Sequence, residues 1–248
     1  FTCIEDKCQI ECEQEDSCAD TSIQLDLVES VSCGEPRACQ DATFGLTDVV
    51  NGFKFECSDE ESCQYAVISA SLDSSDSEAH MDEFQCDGEN ACEAATVTLQ
   101  RLEKFTCEGY RACLDGTFIV VDPAKDLTVS CEGDSSCSGA NIVLSYRADA
   151  TDFTIDSIEC ESSKACQFTS FSITNLATET VVIKELKCEG FLACDYLFFG
   201  INPAGSVTIE KCICEGPEPY GCLCTSGLDA ICQTFEGVWS SGTDAYPC

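Results

Sequence analysis

With 248 residues, 24 cysteines and a formal net charge of −34, the chain has the disulfide density of a secreted scaffold, a density normally met in far shorter chains. Its 46 acidic against 12 basic residues exclude partners that need cationic neutralisation, namely nucleic acid and anionic membrane surfaces. Divalent cations, basic partners or a hydrated matrix stay compatible with that charge.

The chain opens at Phe1 with no initiator Met and no signal-peptide pattern, which reads as a processed mature chain. "FTCIEDKC" holds a short pair, Cys3 and Cys8. Residues 1–9 are therefore expected to form a truncated N-terminal coil with an open end, and an uncovered end offers strand edges to another chain.

From residue 10 a repeat takes over. Cysteine pairs with five residues between them fall at Cys12 and Cys18, Cys33 and Cys39, Cys57 and Cys63, Cys86 and Cys92, Cys107 and Cys113, Cys131 and Cys137, Cys160 and Cys166, and Cys188 and Cys194. Successive pairs start 21 to 29 residues apart, a period that signals stacked units burying their faces against neighbours. Two residues before each first cysteine stands an apolar residue, from Ile10 through Phe105 to Leu186. Three after each second cysteine the residues are small with few exceptions, as at Ala42, Ala95 and Ala140. Five and seven after, they are apolar again, as at Phe118 and Val120. Alternation at every second position means strands with one face inward.

These features predict an all-β fold: a disulfide-rich parallel β-solenoid, right-handed by the chirality of parallel crossovers and three-sided, with about eight to nine coils of 21–29 residues. The longer coils have room for an extra strand, with Phe153 and Ile155 inward in one and "TVVIKELKC" in another. The five-residue loop between paired cysteines rounds a corner, where Gly88, Gly109, Gly133 and Gly190 suit positive φ. A bridge within each coil is favoured, because every unit brings its own pair. A bridge between neighbouring coils also fits the disulfide Cα range, and spacing leaves both connectivities open.

The polar insert "SSDSEAHMDE" holds the one histidine, His80, expected to be a surface loop residue. With no second histidine, neither a catalytic triad nor a His-based zinc site is expected. The outward strand positions are mostly Ser, Thr, Gly and aliphatic, so no catalytic residue is assigned. No cofactor and no metal are assigned either, although Asp20, Asp41 and Asp115, two after their cysteines, form a column able to offer oxygen ligands to calcium. The Ser/Thr face also exposes Tyr65, Phe168, Tyr196 and Phe198. Together with Phe1 and Trp239 these are the candidate assembly residues, since exposed apolar patches mark partner surfaces. Residues 10–211 are read as the solenoid and 212–248, rich in Cys, Gly and Pro, as a cap or docking tail. "FLACDYLFFGI", the longest apolar run, is broken by Asp195 and falls short of the roughly 20 residues that span a bilayer, so no membrane insertion is expected.

The "C-E-G-x-x-A-C" units, as in "FTCEGYRAC" and "LKCEGFLAC", resemble the cysteine-laddered β-solenoid repeats of extracellular proteins from algae and other protists, over about residues 10 to 201. Some proteins of that kind are subunits of secreted, glycosylated fibrils. The resemblance implies a secreted structural subunit with glycans, whose partners are copies of itself docked end to end. The competing expectations are an ice-binding or glycan-binding solenoid, suggested by the rung Thr96-Val97-Thr98, and a polysaccharide lyase-like or hydrolase-like β-helix.

Overall fold

The computed structural model describes residues 2–4, 7–72, 79–147, 153–176, 180–203 and 206–215. Phe1, Trp239 and the rest of the expected cap or docking tail beyond Glu215 lie outside the described residues. In chain order the strands are β1 (Thr2–Ile4), β2 (Lys7–Cys12), β3 (Ser22–Asp26), β4 (Val28–Cys33), β5 (Thr43–Val49), β6 (Phe53–Cys57), β7 (Val67–Leu72), β8 (Met81–Cys86) and β9 (Thr96–Gln100). They continue with β10 (Leu102–Cys107), β11 (Thr117–Val121), β12 (Leu127–Cys131), β13 (Asn141–Ser145), β14 (Thr154–Glu161), β15 (Ser170–Leu176), β16 (Thr180–Glu189), β17 (Phe198–Pro203) and β18 (Ser206–Glu215).

The even-numbered strands join β1 in one sheet of 10 strands, and the odd-numbered strands from β3 to β17 form a second of 8. Every neighbouring pair is parallel except β1 with β2. Register follows the cysteines: Cys33 pairs with Cys57, Cys57 with Cys86, Cys86 with Cys107 and Cys107 with Cys131. The chain is thus a parallel β-solenoid.

Its third side differs from the sequence expectation. Phe153 and Ile155 do not begin an additional wall; Ile155 lies in β14, which runs straight on to Cys160, and "TVVIKELKC" lies within β16. The longer coils lengthen strands of the first sheet. The third side is built from the loops between paired cysteines, which stack as turns. In the coil of Cys33 and Cys39, the N–H groups of Ala38, Gln40 and Ala42 donate to the carbonyls of Glu35, Arg37 and Cys39 three residues back. The intervening N–H groups of Arg37, Cys39 and Asp41 donate across to the next coil, to Glu60, Ser62 and Gln64, at 3.0, 2.7 and 3.0 Å. The same three cross-coil bonds recur from there to the coil of Cys160 and Cys166. In this coil every backbone donor from Arg37 to Ala42 is satisfied, either within its own coil or by the next.

The glycines have a different reason from the one expected. Only Gly190 has positive φ, +125°; Gly88, Gly109 and Gly133 do not. They are there because neighbouring coils nearly touch: a Cβ on Gly109 would stand 2.1 Å from the Gly88 carbonyl oxygen, and one on Gly133 would stand 2.1 Å from that of Gly109. The left-handed positions instead fall four residues after the first cysteine and two after the second, on Arg37 and Asp41, Arg111 and Asp115, Lys164 and Phe168. Such backbone costs a non-glycine residue about 1 kcal/mol or more and persists where its surroundings over-determine it. The cross-coil bonds from those same N–H groups do so.

The core lies between the sheets and the turn wall. Ile10, Phe55, Phe84, Phe105, Ile158 and the other residues two before each first cysteine are buried, as are Phe44, Ile68, Val97, Phe118 and Ile142 facing them. Phe84 and Phe105 stack with centroids 5.9 Å apart, and Phe118 meets Phe105 edge-on at 4.7 Å. The alanine before the second cysteine, at Ala38, Ala91, Ala112, Ala165 and Ala193, is fully buried inside the turn wall, as are Ser62 and Ser136 at the same place in their coils, so only a small side chain stands there. The structure pairs all sixteen cysteines of the repeat within their own coils, Cys12–Cys18 through Cys188–Cys194, each across a sequence separation of 6.

At the start, β1 folds back antiparallel on β2, with Cys3 opposite Cys8, so the first sheet begins with a returning arm in place of an open coil. At the far end β18 crosses the expected boundary at residue 211, because Cys214 takes the register of Cys188 and Cys212 that of Leu186.

Candidate assembly surface

The outward face of the 8-stranded sheet carries two columns of side chains. One runs Ser22, Thr43, Val67, Thr96, Thr117, Asn141, Ser170, Phe198, and the other Gln24, Gly45, Ser69, Thr98, Ile119, Val143, Ser172, Gly200, as the pairing registers place them. At the corner beside the first column lies a third: Asp20, Asp41, Tyr65, Ala94, Asp115, Gly139, Phe168 and Tyr196, all with positive φ.

The predicted aromatic residues gather at one end of these columns. Phe168 and Tyr196 come from adjacent coils and stack at 5.0 Å with planes 12° apart. They are 57% and 53% exposed, and Phe198, two residues beyond Tyr196, is 53% exposed. A bulky side chain at positive φ is an outlier; here the Phe168 N–H donates to the Asp195 carbonyl at 2.9 Å and fixes it. Tyr65, half exposed, stands apart on an earlier coil beside the exposed Val67. Phe1 and Trp239 lie outside the described residues.

The aspartate column does not make a calcium cage. Asp20 and Asp41 are neighbours, but Tyr65 and Ala94 separate them from Asp115, whose carboxylate lies over Gly139. Aspartate tolerates the left-handed backbone better than most residues, and that accounts for its recurrence there.

Elsewhere the surface is laced across coils. Gln40 donates to Gln64 at 2.8 Å and Gln64 to Glu93 at 2.9 Å along the turn wall. On the first sheet Lys104 pairs with Glu83 at 2.8 Å, Lys184 with Asp156 at 2.8 Å, and Lys187 with both Glu161 and Glu189. Hydrogen bonds to these carboxylates raise the pKa of Lys104 and of Lys187. A neighbouring acidic column, Asp87, Glu108 and Glu132, lacks such alternation. Burial, then the charges of Asp87 and Glu132, push the Glu108 carboxyl above its ordinary range.

His80 lies in the loop just before β8, as expected, but it is not isolated. It is half-buried, with its imidazole Nε2 3.5 Å from Asp82 Oδ1 and 3.3 Å from Glu103 Oε1. Glu103 belongs to the next coil, so local sequence carried no sign of this grouping.

Sheet pairing, turn wall and bridges together define a disulfide-laddered parallel β-solenoid. No family model matches the sequence, and comparison with curated proteins and with solved structures gives no match.

Proposed function

We propose that the protein is a structural subunit of an extracellular fibril or matrix, assembling head to tail through the ends of its winding. The general part of this reading, a structural role in an oxidising, extracellular setting, follows from a rod braced by a disulfide in each repeat coil. The observation that carries the assembly part is the exposed stack of Phe168 on Tyr196, with Phe198 beside it, close to the end strand β17 of the second sheet. Among the described residues β3, at the opposite end of that sheet, pairs with β5 alone. An unpaired edge is a template for another chain, and a heterologous contact that does not close produces a filament. Glycans on the Ser and Thr residues of the exposed face belong to the same reading.

An ice-binding function needs regular threonine rungs, and the columns break at Val67, Ile119, Val143 and Phe198. No catalytic residue is assigned. Negative-stain imaging of the natively secreted material tests the proposal. Filaments whose formation is lost in Phe168→Ser/Tyr196→Ser are the expected result. Monomeric rods at every concentration would sink the assembly reading.

A further inference from the structure

His80, Asp82 and Glu103 each offer a ligand atom, and the three atoms lie within 4.8 Å of one another. They come from adjacent coils by a definite register: Leu102 pairs with Met81 and Lys104 with Glu83, which sets Glu103 beside Asp82. Against the preceding coil Phe53 pairs with Met81 and Lys54 with Glu83, so Asp82 is the extra residue of a bulge and stands outward. The backbone of His80 is tied to that preceding coil twice. Its N–H donates to Asn51 Oδ1 at 2.9 Å, and its carbonyl accepts from the Gly52 N–H at 2.9 Å.

The same local structure recurs further along the rod and supplies an internal comparison. Leu127 pairs with Ile155 and Thr128 with Ser157, so Asp156 is likewise the extra residue of a bulge. There the next coil sets Lys184 beside it, and the amino group bonds the carboxylate at 2.8 Å. At Asp82 the place of that lysine is taken by a second carboxylate, Glu103, and an imidazole lies between the two acids. Two acids side by side on adjacent strands repel. The chain's nearby lysines, Lys54 and Lys104, turn to Glu83.

We propose that His80, Asp82 and Glu103 bind a borderline divalent transition cation of the Zn2+ class, which staples adjacent coils. Ligands about 2.1 Å from a tetrahedral zinc ion stand about 3.4 Å apart, and the imidazole-to-carboxylate distances are 3.5 and 3.3 Å. One nitrogen and two carboxylate oxygens suit this class, whereas calcium and magnesium take oxygen ligands alone. The cation would neutralise both acids across the seam between β8 and β10.

The test is calorimetric titration of Zn2+ into the full secreted chain, with any reactive thiols alkylated and millimolar Ca2+ and Mg2+ present to occupy the general acidic surface. The expected result is one saturable site, weakened about tenfold or more in both His80→Gln and Glu103→Gln, a loss that even residues hydrogen-bonded to a metal's ligands produce when changed. Asp41→Asn should leave it unchanged. Far-UV circular dichroism checks that each variant is folded, and Co2+ in place of Zn2+ should show d–d absorption lost in His80→Gln. Absence of saturable Zn2+ binding by the parent chain, or binding that neither site variant weakens, overturns the proposal. Either result is independent of whether filaments form.

Discussion

Gly109 faces the carbonyl oxygen of Gly88 so closely that a methyl group built on its Cα would stand 2.1 Å from that oxygen. Both glycines have ordinary negative φ, so space between coils, and not backbone freedom, selects them. Gly109→Ala should therefore force adjacent coils apart and cost about 1–3 kcal/mol, the usual scale of overpacking. Coils of a solenoid touch only their neighbours. Hydrogen exchange should accordingly rise around Cys86–Cys113 and stay unchanged near Ile10 and Ile183; uniform loosening along the rod would contradict this account.

The paired bridges act locally as well. Removing Cys107–Cys113 as the double alanine variant opens a loop with a sequence separation of only 6, and a short loop places the loss near the lower end of the usual range, about 2–3 kcal/mol. The expected outcome is a lowered denaturation midpoint with the β-type dichroism retained. Complete loss of fold would mean that the bridges are jointly indispensable.

Phe105 is nearly fully buried between Phe84 and Phe118. Phe105→Ala should cost about 3–5 kcal/mol, more than loss of the neighbouring bridge. Comparing the two variants by chemical denaturation ranks packing against cross-linking in this narrow core.

The pH response of Glu108 has the reverse of the usual carboxylate sign. Its pKa is raised, first by burial and then by Asp87 and Glu132, so the folded chain keeps the proton after the unfolded chain has released it. Stability then falls as pH rises through and above the ordinary carboxylate range. Glu108→Gln should raise the melting temperature at neutral pH, and the gain should vanish in acid where Glu108 is protonated. A gain that persists undiminished in acid would point to a cause other than charge.

Much of the architecture was legible because burial leaves a periodic trace. Ile10, Phe55 and Phe105 before the bridges, and Phe44 and Phe118 after them, recur at fixed offsets, and each is buried. The turn wall left no such trace. Its left-handed positions carry Arg37, Glu61, Asn90, Arg111, Ser135 and Lys164, because hydrogen bonds to the next coil, rather than residue type, hold that backbone. The aromatic surface was found residue by residue, while the stacking of Phe168 on Tyr196 needed the register. His80 and Glu103 were invisible as a group, since a bulge and a coil-to-coil pairing bring them together.

The turn wall has one further consequence. The cross-coil bonds from its second cysteines and its left-handed positions run the same way, each N–H donating to the carbonyl of the following coil, while the residue after the first cysteine, as at Gly34 and Ser58, donates back to the preceding one. Peptide dipoles of roughly 3.5 D each therefore add along this wall, while the sheets contribute little. In the forward bonds oxygen faces the N-terminal coil, the reverse of an α-helix, so the two ends of this wall differ in polarity.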